Sequence, residues 1–349
     1  MELKDFNYFL PTNLIAQVPV KPRDHSRLFV YNRETKKIKH DYFYNLPLYL
    51  KSGDVLVLNN TKVFPARLLG HKDTGGKIEI FLLKKINKNS WQVLVGNKRK
   101  KLNKKIYFSK KFFGTLIKNN QDGTWVIKFN LSGNNFWQQI NKYGHTPLPP
   151  YIKKDAKLKD YQTIFANKIG SVAAPTAGLH FTKTLINKLK KQGLQIEYIT
   201  LHVGLGTFAP VKTKNITKHK LHSEWVEIGK RTANRLNAAK KSGKKIIAVG
   251  TTSIRALEAL TQKQKNKYII KPAKKWVNIF IYPGYKFKFV DMIITNFHLP
   301  KSSLLMLIAA FLATEKNKYS GITKLQKIYK LAIQKKYRFY SFGDGMLIK

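Results

Sequence analysis

The chain contains no cysteine and, in 349 residues, only 18 acids. The first absence removes disulfides, thiolate zinc sites, iron–sulfur clusters and a thiol nucleophile together. The second leaves a formal net charge of +48, because Lys and Arg number 66. Arginine is scarce within that excess: nine of the cations are Arg and 57 are Lys. Long apolar runs are missing too, the longest being LLMLIAAFLA over 304–313, about half a membrane span. The opening MELKDFNYFLP has neither the basic nor the apolar region of a secretory signal. A cytoplasmic protein without a membrane segment is expected.

What is present is enough to build cores. Hydrophobic residues make up 43% and aromatics 12%, which excludes wholesale disorder. At roughly 150 residues per domain the length predicts two domains, or one with a large insertion. The lysines have two readings. A/T-rich codons place Lys, Asn, Ile, Tyr and Phe on solvated faces, whereas a polyanionic partner would use the same lysines as phosphate contacts. Against a Lys-rich background each retained Arg points to a planar fork that Lys cannot supply.

Two patterns divide the chain. From Ala66 to about Asn130 short β-rich runs (ARLLG, KIEIFLL, WQVLV, KIYFS, FFGTLI, TWVIKF) are separated by turn residues, which predicts a small antiparallel barrel. Pro147, Pro149 and Pro150 read as a stiff exit linker. After Tyr151 strands and helices alternate. Thr182 caps a helix over 183–192 and strand 195–203 follows. A helix over 231–241, strand 246–249 and a helix over 254–261 come next. Strand 292–295 and helices over 302–314 and 322–335 complete the alternation. The expected fold is α/β: a discontinuous mixed α/β domain of residues 1–65 and 151–349, carrying a β-barrel inserted at 66–150.

Candidate chemistry sits at the strand ends. VGTTSIR (249–255) runs from a strand through small residues into a helix. Thr251 and Thr252 there offer backbone N–H groups and hydroxyls to a carboxylate or phosphate, and Arg255 a fork. An ordinary helix capped by Ser253 is the alternative. SVAAPTAGLHFT (171–182), with Thr176 and His180, and LHVGLGTFAPV (201–211), with His202, Gly204 and Gly206, let the backbone approach a ligand closely. In LHSEWVEI (221–228) a strand would put Glu224 and His222 on one face as an acid/base pair, or leave a surface ion pair. TNFHLP (295–300) puts Asn296 and His298 at a strand end. Near the N-terminus, Arg23 and Arg27 lie in a Pro-rich loop. Asn59, Asn60 and Arg67 follow an apolar strand, with amides suited to base or ribose edges or to plain turns. No zinc-protease helix, phosphate-binding Lys loop or serine elbow is present. The residues alone leave an α/β enzyme and an RNA-binding protein both open.

Longer strings are more specific. IAQVPVKPRDHSRL, LVLNNTKVFPARLLG, HTPLPPYI, VAAPTAGLHFT, TLHVGLGTF, LHSEWVEI, AVGTTSIRALE, VDMIITNFHLP and YRFYSFGDGMLI resemble, in order and spacing, the S-adenosylmethionine:tRNA ribosyltransferase-isomerase family of queuosine biosynthesis. The resemblance runs from about Leu3 to Ile348. It implies transfer of the ribosyl part of S-adenosylmethionine to a 7-aminomethyl-7-deazaguanine at the tRNA wobble position. The sugar rearranges to an epoxycyclopentanediol, and adenine and methionine leave. The partners implied are that tRNA and S-adenosylmethionine as co-substrate, with no metal, no further cofactor and a monomeric chain. On this resemblance His180, His202, Glu224 and His298 are expected around the sulfonium and ribose. Thr251, Thr252, Arg255, Asn296, Thr176 and Gly204 are expected to bind substrate, and Arg23, Arg27, Asn59, Asn60 and Arg67 to face the deazaguanine and tRNA. Lys62, Lys301 and Gly345 depart from the family pattern, which has Arg, an acid and Ala there.

Overall fold

The structure is a computed structural model and describes residues 1–96, 102–154, 156–204, 211, 213–219, 221–314 and 317–349. Two sheets organise it. The larger has nine strands, in the spatial order Ala273–Val277, Glu224–Ile228, Gln195–His202, Val55–Asn59, Ile246–Val249, Met292–Asn296, Gly345–Ile348, Arg27–Tyr31 and Ile38–Tyr42. The four strands from Gln195–His202 to Met292–Asn296 run parallel and the flanks are mixed. Apolar runs such as VLVL and IIAV fit this place, since a central parallel strand is covered on both faces. Val55, Val57, Ile246 and Ala248 belong to one core, whereas Leu56, Leu58, Ile247 and Val249 belong to a second on the opposite face. That division follows from the two-residue period of a strand.

The expected α/β class with a barrel is the one observed. In the barrel, strands Arg67–Lys72, Lys77–Lys85, Ser90–Val95, Trp125–Phe129, Phe112–Asn119 and Lys105–Ser109 pair in that order, all antiparallel. Pairing of His71 with Tyr107 and of Lys72 with Ile106 closes the ring. It has its own core, including Trp91, Ile127, Phe112 and Phe129. Helix Gly133–Tyr143, which the sequence reading omitted, adds Phe136 and Ile140 to that core. Its many Asn and Gln residues conceal a narrow apolar stripe. Strands Thr261–Gln264, Lys267–Ile270 and Ala273–Val277 were likewise not read, because Lys and Gln interrupt their alternation.

Several elements correct the sequence reading. The helix expected over 254–261 is Thr251–Leu260, so GTTS supplies its first turn rather than a preceding loop. Ser253 is not a cap: its hydroxyl donates to the Val249 carbonyl at 2.7 Å. Gly250 holds the cap position at φ +83, a conformation that a side chain would strain. His222 precedes strand Glu224–Ile228 and is exposed while Glu224 is buried, so the two form no pair on one strand face. The Pro-rich segment packs down instead of spanning free space: Leu148, Tyr151 and Ile152 join a small core with Ala16, Val63 and Phe342.

Candidate active site

Parallel strands leave a crevice beyond their carboxyl ends, and a cavity of about 280 Å³ lies there. Ala174–Ala177 form one wall, Gly250–Thr252 follow strand Ile246–Val249, and Thr295–Pro300 are the end of the neighbouring strand and the segment after it. Tyr151, Ser302, Tyr340 and Ser341 complete it. Thr251 and Thr252 are first-turn residues of a helix, where N–H groups have no intrahelical acceptor and favour an anion. Tyr151 and Tyr340 make an aromatic wall, their centroids 4.7 Å apart, and Tyr151 Oη lies 2.8 Å from Ser341 Oγ. Tyr340 has φ +69, a left-handed conformation that is strained for a bulky residue and concentrates at functional sites.

Five residues singled out in the sequence line this cavity: Thr176, Thr251, Thr252, Asn296 and His298. His298 Nε2 lies 2.9 Å from Thr295 Oγ1, and its backbone N–H donates to Tyr329 Oη at 3.0 Å. Tyr8 Oη donates to its carbonyl. Burial pushes its pKa down to about 3, so the ring is neutral at working pH. His180 stands behind the wall, where Asn296 Nδ2 approaches its Nε2 at 3.1 Å and Ser26 Oγ its Nδ1 at 2.7 Å. Its pKa also falls to about 3, through burial first and then the charges of Arg338 and Arg23.

The other candidates lie elsewhere. Glu224 and Arg255 form a buried ion pair at 2.6 Å, each side chain 4% exposed. The Gly204 N–H points at Glu224 Oε1 from 3.4 Å, and Gly206 falls outside the described residues. His202 packs against Gly170, with Thr61 Oγ1 2.8 Å from its Nδ1; burial, chiefly, lowers its pKa. Asn59 ties strands together, donating to the Leu201 carbonyl at 2.9 Å and accepting from the Leu201 N–H at 3.0 Å. Asn60 lines a separate hollow with Phe165, Asn187 and Tyr198. Arg23 donates to the Gln162 and Lys159 carbonyls at 2.6 and 2.7 Å. Arg27 lies over the Tyr337 ring and donates to the Lys335 carbonyl. On the barrel, Arg67 pairs with Glu79 at 3.2 Å. Tyr151, Ser302, Tyr340 and Ser341 were missed as individuals. HTPLPPY and YRFYSFGDG contained three of them, but no chemical signature distinguishes a wall tyrosine from a core one.

Among the described residues no group of three or more His, Asp and Glu could hold a metal ion, and no helix is long and apolar enough to cross a membrane. A family model described as queuosine biosynthesis protein matches residues 3–348. The S-adenosylmethionine:tRNA ribosyltransferase-isomerase of Carboxydothermus hydrogenoformans is 48% identical over 353 residues, covering 100% of both chains. Its counterpart from Sulfurihydrogenibium sp. is 49% identical, again over 100% of both. The crystal structure of the S-adenosylmethionine tRNA ribosyltransferase from Thermotoga maritima superposes with a TM-score of 0.55 at 36% identity, over 99% of this chain and 100% of that one. Full-length similarity at this level leaves one assignment: the chain belongs to the queuosine biosynthesis family of S-adenosylmethionine:tRNA ribosyltransferase-isomerases.

Proposed function

We propose that this enzyme transfers and isomerises the ribosyl group of S-adenosylmethionine onto the aminomethyl group of a 7-deazaguanine at the tRNA wobble position, yielding epoxyqueuosine in tRNA, adenine and methionine. The observation that carries the reading is the cavity, in which Thr176, Thr251, Thr252, Asn296 and His298 meet at the carboxyl ends of parallel strands. Thr251 and Thr252 N–H groups suit the methionine carboxylate. The Tyr151 and Tyr340 rings give a face for a flat heterocycle.

The reaction requires a base for a proton beside the sulfonium, whose positive sulfur stabilises the carbanion as an ylide. It also requires a hydrogen-bond donor for departing adenine and a neutral attacking amine. Of the four groups considered for acid/base work, His298 is the one on the cavity wall. Thr295 orients its neutral ring, but a pKa held near 3 by burial makes it a weak base, so its lone pair suits a hydrogen bond to the substrate rather than keeping the abstracted proton. Arg255, one helical turn along from the threonines, pairs with Glu224 and so ties the helix that they begin to strand Glu224–Ile228.

The test incubates the protein with S-adenosylmethionine and tRNA carrying the aminomethyl base, with mass spectrometry of the products. Adenine, methionine and a heavier wobble nucleoside appearing together are expected, and His298→Asn should slow turnover by about 100-fold or more. Release of S-adenosylhomocysteine would show a methyltransferase instead. Binding of tRNA without turnover would leave a non-catalytic RNA-binding protein.

A further inference from the structure

Asn296 ends strand Met292–Asn296 and is 2% exposed on the cavity wall. Its carboxamide is held from two sides. Thr176 Oγ1 donates to Oδ1 at 3.0 Å, and Nδ2 donates to His180 Nε2 at 3.1 Å. With Nε2 accepting, the imidazole proton sits on Nδ1 and points at Ser26 Oγ, 2.7 Å away. His180 is itself fixed, with Phe43 stacked on it at a centroid distance of 4.7 Å. Burial keeps the ring neutral, so one of its nitrogens is an acceptor, and the Asn296 amide facing Nε2 selects that one.

A carboxamide owns two N–H donors and two oxygen lone pairs. Among the described residues the chain Thr176–Asn296–His180–Ser26 uses one of each. One N–H and one lone pair are left over, and such a pair presented together to the cavity complements a purine edge. A carboxamide free to rotate matches adenine, with an amino group beside a bare ring nitrogen. After half a turn it matches a 6-oxopurine, with a carbonyl beside a ring N–H. A clamped one matches a single pattern.

We infer that Asn296 reads the adenine edge of S-adenosylmethionine, and that His180 is a positioning residue which, with Thr176, fixes the way round in which the amide is presented. The identity of the ligand rests on the proposed reaction. Of its two substrates only S-adenosylmethionine joins a purine edge and a carboxylate in one small molecule, and the same cavity offers the Thr251 and Thr252 N–H groups to that carboxylate. The deazaguanine of tRNA presents the opposite, 6-oxo pattern.

Calorimetry on the free protein tests the inference without requiring turnover. Kd is measured for S-adenosylmethionine and for its 6-oxo analogue, S-inosylmethionine, with wild type, Thr176→Val, His180→Leu and His180→Gln. Wild type should prefer the adenosyl compound by about 100-fold, and Thr176→Val and His180→Leu should reduce the preference below about tenfold, chiefly by admitting the analogue. His180→Gln, whose amide oxygen can accept from Asn296, should retain most of it. A merely structural role would weaken both compounds alike and keep their ratio. Should His180→Leu fail to fold, the isosteric Thr176→Val decides. An unchanged ratio in the folded variants, binding of neither compound, or variants that raise only the KM for tRNA would overturn the inference. Failure of the product assay, with the Kd ratio behaving as expected, would count against the proposed reaction and not against this reading.

Discussion

Among single residues, the scarce arginines show how far side-chain chemistry can be read ahead of the fold. Those whose partners are seen use their planar forks, yet the acceptors belong to the chain itself. Arg23 and Arg27 hold backbone carbonyls, Arg33 donates to the Asp291 carbonyl, Arg235 pairs with Glu197, Arg255 with Glu224 and Arg338 with Asp344. A fork is legible in sequence, but its acceptor is not, because those acceptors lie up to 320 positions away, as for Arg338 and the Val18 carbonyl. The histidines carry a prediction. His180 and His298 have folded-state pKa values near 3, against an ordinary 6.5. Between those values the unfolded chain binds protons that the fold excludes. Their contribution is therefore fully present above about pH 6.5 and is lost as pH falls toward 3, by at most about 1.4 kcal/mol per pH unit for each ring. Urea unfolding of His298→Gln between pH 7 and 4.5 should show a shallower loss of stability than wild type. Equal slopes would mean that the ring is not kept neutral by the fold.

For elements, the helix Thr251–Leu260 is the clearest case. The GTTS string marked its start, but small residues serve equally as a loop or a first turn, and the reading placed the start three residues late. Burial decides the matter: every residue from Thr251 to Glu258 is buried, so the helix is fixed by packing more than by propensity. Its Arg255 meets Glu224 from the neighbouring strand with almost no solvent. Removing one partner leaves a buried charge uncompensated. Glu224→Gln should cost about 3 kcal/mol in urea unfolding, and Arg255→Met added to it should recover much of that loss. Additive losses in the double variant would show that the two do not act as a pair. Gly345 packs at this scale too. A Cβ there would come to 3.0 Å from the Phe43 ring that stacks on His180, so a side chain at this position would press on the His180 support.

The whole molecule combines a nine-stranded sheet, a closed barrel and a charge of +48. If the lysines meet tRNA phosphates, affinity for tRNA should fall at least about 100-fold between about 50 and 200 mM salt, since each contact releases counterions. Filter binding across that range reads the slope directly, and a flat response would assign the lysines to solvated faces.

The sequence by itself determined the α/β class, the barrel and the family. Strand periodicity, turn residues and long specific strings are local properties that survive in one dimension. It also marked the strand ends from which the cavity residues come. Only the tertiary structure decided which of those residues share a cavity. Thr176, Thr251 and His298 converge there because the segments that carry them follow adjacent parallel strands or pack beside them. Glu224 instead turns to Arg255, and Asn59 to Leu201. Whether a buried polar side chain faces a ligand or its own backbone depends on which acceptor lies nearest after folding, and strand order sets that distance.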